Sequence, residues 1–245
     1  SRLSGNYVLH ENGSIDLDEL QLNILRARLR AKGSIDAQGR LAFQVEANDL
    51  ELARIQVHYP YPVSGLVSFR GTVGGTKSRP TFSGELSVPE LTLNGQKVQH
   101  VQSHVESIGS YVNIPSFFSF LGQGTISFHG DANLENGVVD GFLEVKQTQL
   151  AHLLPLLNVT DSGVDGRLDG VVRIGGEVGL PSLDLHGRLQ NGLLRGYPVE
   201  AADLHISQVG SLITIHRFEA KQGAKGKLVA QGTADLRGEY QLEVG

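Results

Sequence analysis

Apolar and polar residues alternate along most of the chain. In TISFHGDANL at 125–134, KLVAQGTADL at 227–236 and RARLRAKGSI at 26–35, one parity holds apolar residues or glycine and the other is mostly polar. Side chains in a strand point alternately to its two faces, so each segment predicts a strand with one apolar and one polar face. Such strands are typical of antiparallel sheets rather than of the parallel sheets of α/β proteins.

Helical pattern is confined to two short windows. NDLELARI at 48–55 and TQLAHLLPLL at 148–157 each place Asn, Asp or Thr before an apolar cluster, as a helix N-cap does. Pro155 ends or kinks the second window. The chain is therefore predicted to be all-β, with one or two short helices.

A repeat with a spacing of 101 residues runs through the chain. VGGTKSRPTFSGELSV at 73–88 and IGGEVGLPSLDLHGRL at 174–189 share one plan, in which Gly74-Gly75 and Pro80 recur as Gly175-Gly176 and Pro181. The same spacing relates further glycines and apolar residues downstream. From Gly124, which matches Gly226, the spacing is 102 because one residue is inserted. The N-terminal segment fits the later half of the unit, with Val45 and Leu50 matched to Val145 and Leu150.

The repeat predicts three segments. They are a partial repeat with a short helix at 1–60, a full repeat with a short helix at 61–157, and a second full repeat at 158–245, truncated at its C-terminal end. Repeats of this kind pack mainly on their neighbours. At about 4.8 Å between strands, two and a half units of about eight strands each make a sheet about 90 Å long. We predict an elongated antiparallel sheet.

The apolar parity of these strands defines a face that has to be buried, and the sequence offers too little helix to cover it. The sheet can fold into a sandwich, close on itself or be filled by an apolar ligand. Filling it with an acyl chain of about 14 methylenes is worth on the order of 10 kcal/mol. If an apolar ligand fills it, the face is a lipid groove. Its predicted lining is Leu29, Val45, Val67, Phe69, Val73, Phe82, Leu86, Val88, Val101, Val105, Val112, Ile114, Ile126, Phe128, Leu134, Val172, Ile174, Leu183, Leu185, Leu189, Leu204, Ile206, Ile213, Ile215, Leu228 and Leu236.

NIPSFFSFLGQG at 113–124 is the most aromatic segment. It places Phe117, Phe118 and Phe120 between a proline and a glycine turn. One interpretation is a buried corner where the chain crosses between strands. The other is a bulky plug or ligand-contacting patch beside the apolar face, since an exposed aromatic patch is unusual on a monomeric protein.

Composition excludes several kinds of site. The 245 residues contain no cysteine, which excludes disulfides and thiolate metal sites. A net charge of −5 with both signs mixed gives no support to nucleic-acid binding by counterion release. Apolar runs fall far short of the roughly 20 residues that span a bilayer. No signal peptide stands at Ser1, and the pattern predicts a segment of a longer protein.

No catalytic motif is present, and we predict neither an enzyme nor a cofactor. The chain has no nucleophile elbow, Walker loop, HExxH pair or cysteine nucleophile. His100 and His104 share one strand face, where solvent-facing residues are predicted rather than a metal site, because zinc needs three or four ligands. NVT at 158–160 is interpreted as a chance glycosylation match, and the acidic cluster at 16–19 as a solvated strand and turn.

One part of the chain resembles the repeat of the AsmA-like superfamily, and in particular its TamB-type C-terminal region. This part is a short helix and a loop followed by SGLVSFRGTVGGTKSRPTFSGELSVPELTLNG. The family pattern S-G-x₅-G-x₃-G-T-x₃-P-x₃-G is met by Ser64, Gly65, Gly71, Gly75-Thr76, Pro80 and Gly84. The second copy carries Gly166, Gly170, Gly176, Pro181 and Gly187. It departs from the pattern at Glu177, where the threonine would stand, and in its last glycine, which is displaced by two residues. The resemblance covers essentially the whole chain.

The resemblance implies a long sheet curled into an open trough, a β-taco, with an apolar interior. It implies a place in the periplasm of a diderm bacterium, with the full-length protein anchored in the inner membrane. It further implies phospholipid transport between the two membranes in support of outer-membrane biogenesis. The implied partner is an Omp85-family outer-membrane protein, bound through a C-terminal region outside this chain. A ligand-free scaffold, a chaperone-like module for outer-membrane protein assembly and an adhesin stalk stay open as alternatives.

Overall fold

The computed structural model describes residues 2–54, 62–156, 163–177, 180–223, 226–235 and 240–244, and most of them lie in strands. The first eight strands are β1 Arg2–Leu9, β2 Ile15–Ile24, β3 Ala27–Ile35, β4 Leu41–Glu51, β5 Val63–Gly75, β6 Pro80–Leu93, β7 Gln96–Ile108 and β8 Tyr111–Leu121. The next eight are β9 Gly124–Asn133, β10 Val138–Gln149, β11 Val164–Glu177, β12 Leu180–Leu194, β13 Tyr197–Val209, β14 Leu212–Gln222, β15 Gly226–Asp235 and β16 Tyr240–Val244.

The order of hydrogen-bonded strands follows the order of the chain, from β1 to β16. The strand pairs among the described residues are antiparallel, which confirms the predicted all-β class and pairing. Contacts divide the chain into two compact units, and each is described by itself below. Unit 1 is Ser1–Ser119 and unit 2 is Phe120–Gly245.

The second helical window is confirmed and the first is largely wrong. The helix α1 spans Leu150–Leu156 and contains Pro155. In the first window, however, β4 continues to Glu51, and only a 3₁₀ turn at Leu52–Arg54 follows. Asp49 adopts φ 57° at a bulge in the pairing with β5, which lets the strand resume. Residue 55 lies outside the described residues.

The strands repeat with the spacing read from the sequence. β7 and β13 begin and end 101 residues apart, and so do β8 and β14. β9 and β15 are 102 residues apart, as one inserted residue requires. The bulged residues Asp49 and Gln147 are 98 residues apart, so the match of Val45 to Val145 is wrong by two residues. A shift of two keeps the same strand face, so the assignment of faces is unaffected.

The turn between β5 and β6 explains the recurring Gly-Gly and Pro. Gly75 adopts φ 75°, a conformation open to glycine, and its counterpart Gly176 adopts φ 89°. Thr76 and Arg79 exchange two backbone hydrogen bonds of 3.1 Å, which close the turn. Pro80 then begins β6. The motif is therefore a hairpin connection.

Cross-strand glycine pairs lie further along the same hairpins. Gly71 stands opposite Gly84, and Gly170 stands opposite Gly187. Both members of the second pair are shifted by two residues away from the turn, so they still face each other. That joint shift accounts for the displaced glycine in the second copy. A Cβ on Gly71 would lie 2.8 Å from the Gly84 Cα, so the pair permits an approach that no side chain allows.

Candidate functional site

Unit 2 carries a continuous row of large apolar side chains across six strands, from β9 to β14. Each member stands directly opposite the next in the strand pairing, and all are partly buried. Five spacings of about 4.8 Å make the row about 24 Å long. It is called the unit 2 row and consists of Phe128, Leu143, Val172, Leu185, Ile206 and Ile215.

The same face of unit 2 is sealed nearer to helix α1. A buried cluster is formed there by Leu189, Val199, Ala202 and Ala220. Leu150 of α1 packs against it, together with partly buried side chains from the neighbouring strands. The apolar face of unit 2 therefore has a packed part under the helix and a partly exposed part along the unit 2 row.

Unit 1 shows the same division along its strands. Val67, Val88 and Val101 are 5%, 3% and 3% exposed. Toward the β5–β6 turn, Phe69 and Phe82 are only partly buried, and their ring centroids lie 4.9 Å apart. The end of the strands near the turn is therefore the more accessible part of the apolar face.

The predicted lining residues divide accordingly. Five of them are buried, namely Val67, Val88, Val101, Ile126 and Leu189. Nineteen are partly buried strand residues, namely Leu29, Val45, Phe69, Val73, Phe82, Leu86, Val105, Val112, Ile114, Phe128, Val172, Ile174, Leu183, Leu185, Leu204, Ile206, Ile213, Ile215 and Leu228. Their contact with lipid stays a prediction.

Two predicted lining residues lie elsewhere. Leu134 was expected to continue its strand, but β9 ends at Asn133 and Leu134 stands in the following turn, 70% exposed. The alternation of the sequence runs one residue beyond the strand, because the chain has already begun to turn. Leu236 lies outside the described residues, as does the NVT motif at 158–160.

The three phenylalanines of the aromatic segment all lie within β8, so the interpretation as a buried corner is wrong. Ser119 and Leu121 are buried, whereas Phe118 and Phe120 are 39% and 37% exposed. Alternation in a strand places these two phenylalanines on the opposite side from Ser119 and Leu121. Phe117 has the parity of the buried residues and is partly buried. A plug role for Phe117, Phe118 and Phe120 stays a prediction.

Two hollows of unit 1 were not anticipated from the sequence. One has a volume of about 630 Å³ and draws residues from β4 to β8, including Gln44, Thr72, Ser83 and Tyr111. The other, of about 590 Å³, shares Gln44 and Thr72 and is lined by charged residues such as Arg70. The second hollow lies on the polar side, because its charged residues have the polar parity of their strands. Residues of both parities line the first hollow, which also draws on Phe43, Val73 and Phe82. Alternation predicts the two faces of the sheet but not a hollow in either.

Charged side chains of the polar face pair across neighbouring strands. The Glu46 carboxylate accepts hydrogen bonds from Asn48 at 3.1 Å and from Arg70 at 3.2 Å, which lower the pKa of Glu46. The pKa of Glu219 is lowered in the same way, first by Arg217 and then by Lys227. These contacts hold the carboxylates in their charged form. They are consistent with a solvated face.

His104 of unit 1 has a raised pKa and lies between two carboxylates. Its Nδ1 lies 2.5 Å from Glu85 Oε1, and its Nε2 lies 3.3 Å from Glu106 Oε1. The hydrogen bond to Glu85 is the largest cause that raises the pKa of His104. His100 is exposed and adopts φ 52° at an irregularity of β7. Because each ring nitrogen of His104 reaches a different carboxylate, its contacts do not converge on one point.

The raised pKa predicts a pH-dependent contribution to stability. A group whose pKa is higher in the folded state stabilises the fold fully below its ordinary value of 6.5, and this is lost as pH rises through the raised value. We expect His104→Gln to lower the urea midpoint more at about pH 6 than at about pH 9. In a Glu85→Gln background the same substitution should show little pH dependence. An equal effect of His104→Gln at both pH values would contradict the assignment.

No protein-family model, no curated protein and no solved structure matches this chain. The resemblance to AsmA-like repeats therefore rests on the motif residues alone. In the described parts of the chain, no helix has the length and apolarity needed to cross a membrane.

Proposed function

We propose that this chain is a segment of an AsmA-like, TamB-type protein whose apolar face conducts phospholipid acyl chains. The observation that carries the proposal is the unit 2 row, six apolar side chains in line with no charged group among them. Their partial burial matters, because a fully packed core has no surface left for a ligand, whereas this row keeps part of its surface accessible.

The dimensions and energetics of the row fit an acyl chain. A bilayer core of about 30 Å gives each leaflet about 15 Å, so a row of about 24 Å accommodates the full length of one chain. Burying about 14 methylenes at about 0.8 kcal/mol each contributes about 11 kcal/mol. A lining without polar anchors binds methylenes about equally along its length, which favours sliding over capture. The headgroup stays at the wet edge of the face.

The proposal includes a cellular setting. We place the segment in the periplasm of a diderm bacterium, between an inner-membrane anchor and an Omp85-family partner in the outer membrane. Transport of phospholipid along the face would then support outer-membrane biogenesis. The motif residues that resemble the AsmA-like repeat support this setting.

A ligand-free scaffold, including a chaperone-like module for outer-membrane protein assembly, is the second candidate. The sealed cluster of Leu189, Val199, Ala202 and Ala220 favours it, because these side chains are covered by the protein itself. If the unit 2 row were also covered in solution, the chain would have no lipid to carry.

Adjacent residues of β9 distinguish the two candidates. Phe128 belongs to the unit 2 row, whereas His129 lies on the other face and stacks on Phe142, with 5.3 Å between ring centroids. We expect a photocrosslinking amino acid at position 128 to capture lipid and the same group at position 129 to capture none. Mass spectrometry of the purified chain then identifies the bound lipid. Equal labelling at both positions, or none at either, would support the scaffold.

A further inference from the structure

Three histidines stack across neighbouring strands on the polar face of unit 2. His186 of β12 stands opposite His205 of β13, and their ring centroids lie 3.9 Å apart. His216 of β14 stacks on the other side of His205, at 4.3 Å. Asp184 precedes His186 by two residues on β12 and therefore shares its face.

Three polar side-chain atoms of this group lie close together. Asp184 Oδ1 lies 3.0 Å from His186 Nε2 and 3.4 Å from His205 Nε2, and the three atoms all lie within 4.8 Å of one another. The side chains of Asp184 and His205 are partly exposed, but Asp184 Oδ1 and His205 Nε2 are themselves buried atoms. They lie within ion-pair distance of each other, and neither makes a hydrogen bond with any described residue. Leaving a buried polar atom without a hydrogen bond costs about 1–3 kcal/mol, and a ligand that contacts both atoms would remove that cost.

The neighbouring charged and polar side chains do not supply the missing hydrogen bonds. Arg173 stands opposite Asp184, but its Nε lies 3.9 Å from Asp140 and its guanidinium lies over the ring of Phe142. Arg188 lies 3.4 Å from Asp203. The remaining polar neighbour, Ser207, bonds to His216 Nε2 at 2.7 Å.

We propose that Asp184, His186 and His205 bind a divalent transition-metal ion, for which zinc is the reference. Zinc takes imidazole nitrogen and carboxylate oxygen at about 2.0–2.2 Å, which separates neighbouring ligand atoms of a tetrahedron by about 3.3 Å. The observed separations of 3.0 and 3.4 Å match two edges of that tetrahedron. An ion at their centre contacts both buried atoms that lack a hydrogen bond. It ties β12 to β13 and leaves one position for water or a partner's side chain.

His216 is a positioning residue in this proposal. Its ring stacks on His205, and its Nε2 is engaged by Ser207. The His205 ring is thereby held between two others, which restricts its rotation and keeps Nε2 directed at Asp184. Sequence inspection missed the site, because His186 and His205 are far apart along the chain and meet only through the pairing of β12 with β13.

Calorimetric titration of tag-free, chelator-treated protein with Zn²⁺ tests the proposal. We expect saturable binding of one equivalent, with the affinity reduced at least tenfold in His205→Gln and in Asp184→Asn. His129→Gln removes one histidine from the same face outside the cluster and should bind as the unchanged protein does. Far-UV circular dichroism checks that each variant is folded. Absence of saturable binding, or equal losses in all three variants, would overturn the proposal.

Two further measurements test the proposal without calorimetry. Co²⁺ loading should give the visible absorption bands of a tetrahedral site in the unchanged protein and in His129→Gln, and none in His205→Gln. The thermal midpoint should rise with Zn²⁺ concentration, because the ion binds the folded state. Mg²⁺, which prefers oxygen ligands, should leave the midpoint unchanged. A rise with Mg²⁺ equal to that with Zn²⁺ would indicate nonspecific binding and overturn the proposal.

Discussion

Val172→Arg should abolish lipid binding by the purified chain, whereas Val171→Arg should leave it unchanged. The two valines are neighbours in β11 and point to opposite faces. Val172 lies between Leu143 and Leu185 in the unit 2 row, and Val171 is 41% exposed on the polar face. A guanidinium in the row places a strongly hydrated charge where methylenes would lie, and its bulk obstructs the path.

We expect bound phospholipid per mole of protein, measured by extraction and mass spectrometry, to fall at least tenfold in Val172→Arg. The fold should persist, because Val172 is only partly buried and an arginine stem can lie along apolar surface with its charge in water. Unfolding of Val172→Arg would show that the row is an ordinary packed core and would favour the scaffold. A folded Val172→Arg that retains its lipid would place the lipid elsewhere.

Gly71→Ala should destabilise the fold by about 3 kcal/mol, at the upper end of what overpacking usually costs. The added Cβ would lie 2.4 Å from the Ser83 carbonyl oxygen and 2.8 Å from the Gly84 Cα. Both are backbone atoms of the paired strand, so relief requires the two strands to separate. The Phe69 ring, 3.1 Å from the same position, blocks movement toward the apolar side.

Gly74→Ala is the matched control on the same strand. Its Cβ would meet the Thr81 hydroxyl at 3.0 Å and nothing else closer than 3.8 Å, and a side-chain hydroxyl rotates away easily. Replacing glycine also reduces the entropy of the unfolded chain, so we expect a change within about 1 kcal/mol. Urea unfolding followed by circular dichroism measures both variants. Equal destabilisation would contradict the close approach at the Gly71–Gly84 pair.

The strand pattern was readable from sequence because a period of two reports a side chain's face directly. The expectation failed at residues 48–51, where Asn48 and Asp49 resemble a helix N-cap. Asp49 instead occupies the left-handed conformation of a bulge, which Asp also tolerates, and the strand continues. The same residues fit both a helix N-cap and a strand bulge, and the pairing with β5 selects the bulge.

The sequence by itself determined the all-β class, the spacing of the repeat and the apolar side of each strand, since these depend on neighbours within a few residues. Only the tertiary structure decided which apolar residues are sealed. Val172 and Ile126 look alike in the pattern, yet Ile126 is 8% exposed while Val172 remains partly accessible. The convergence of Asp184, His186 and His205 was likewise decided by strand register, because contact across a sheet depends on which residues pair and not on the chemistry of each residue alone.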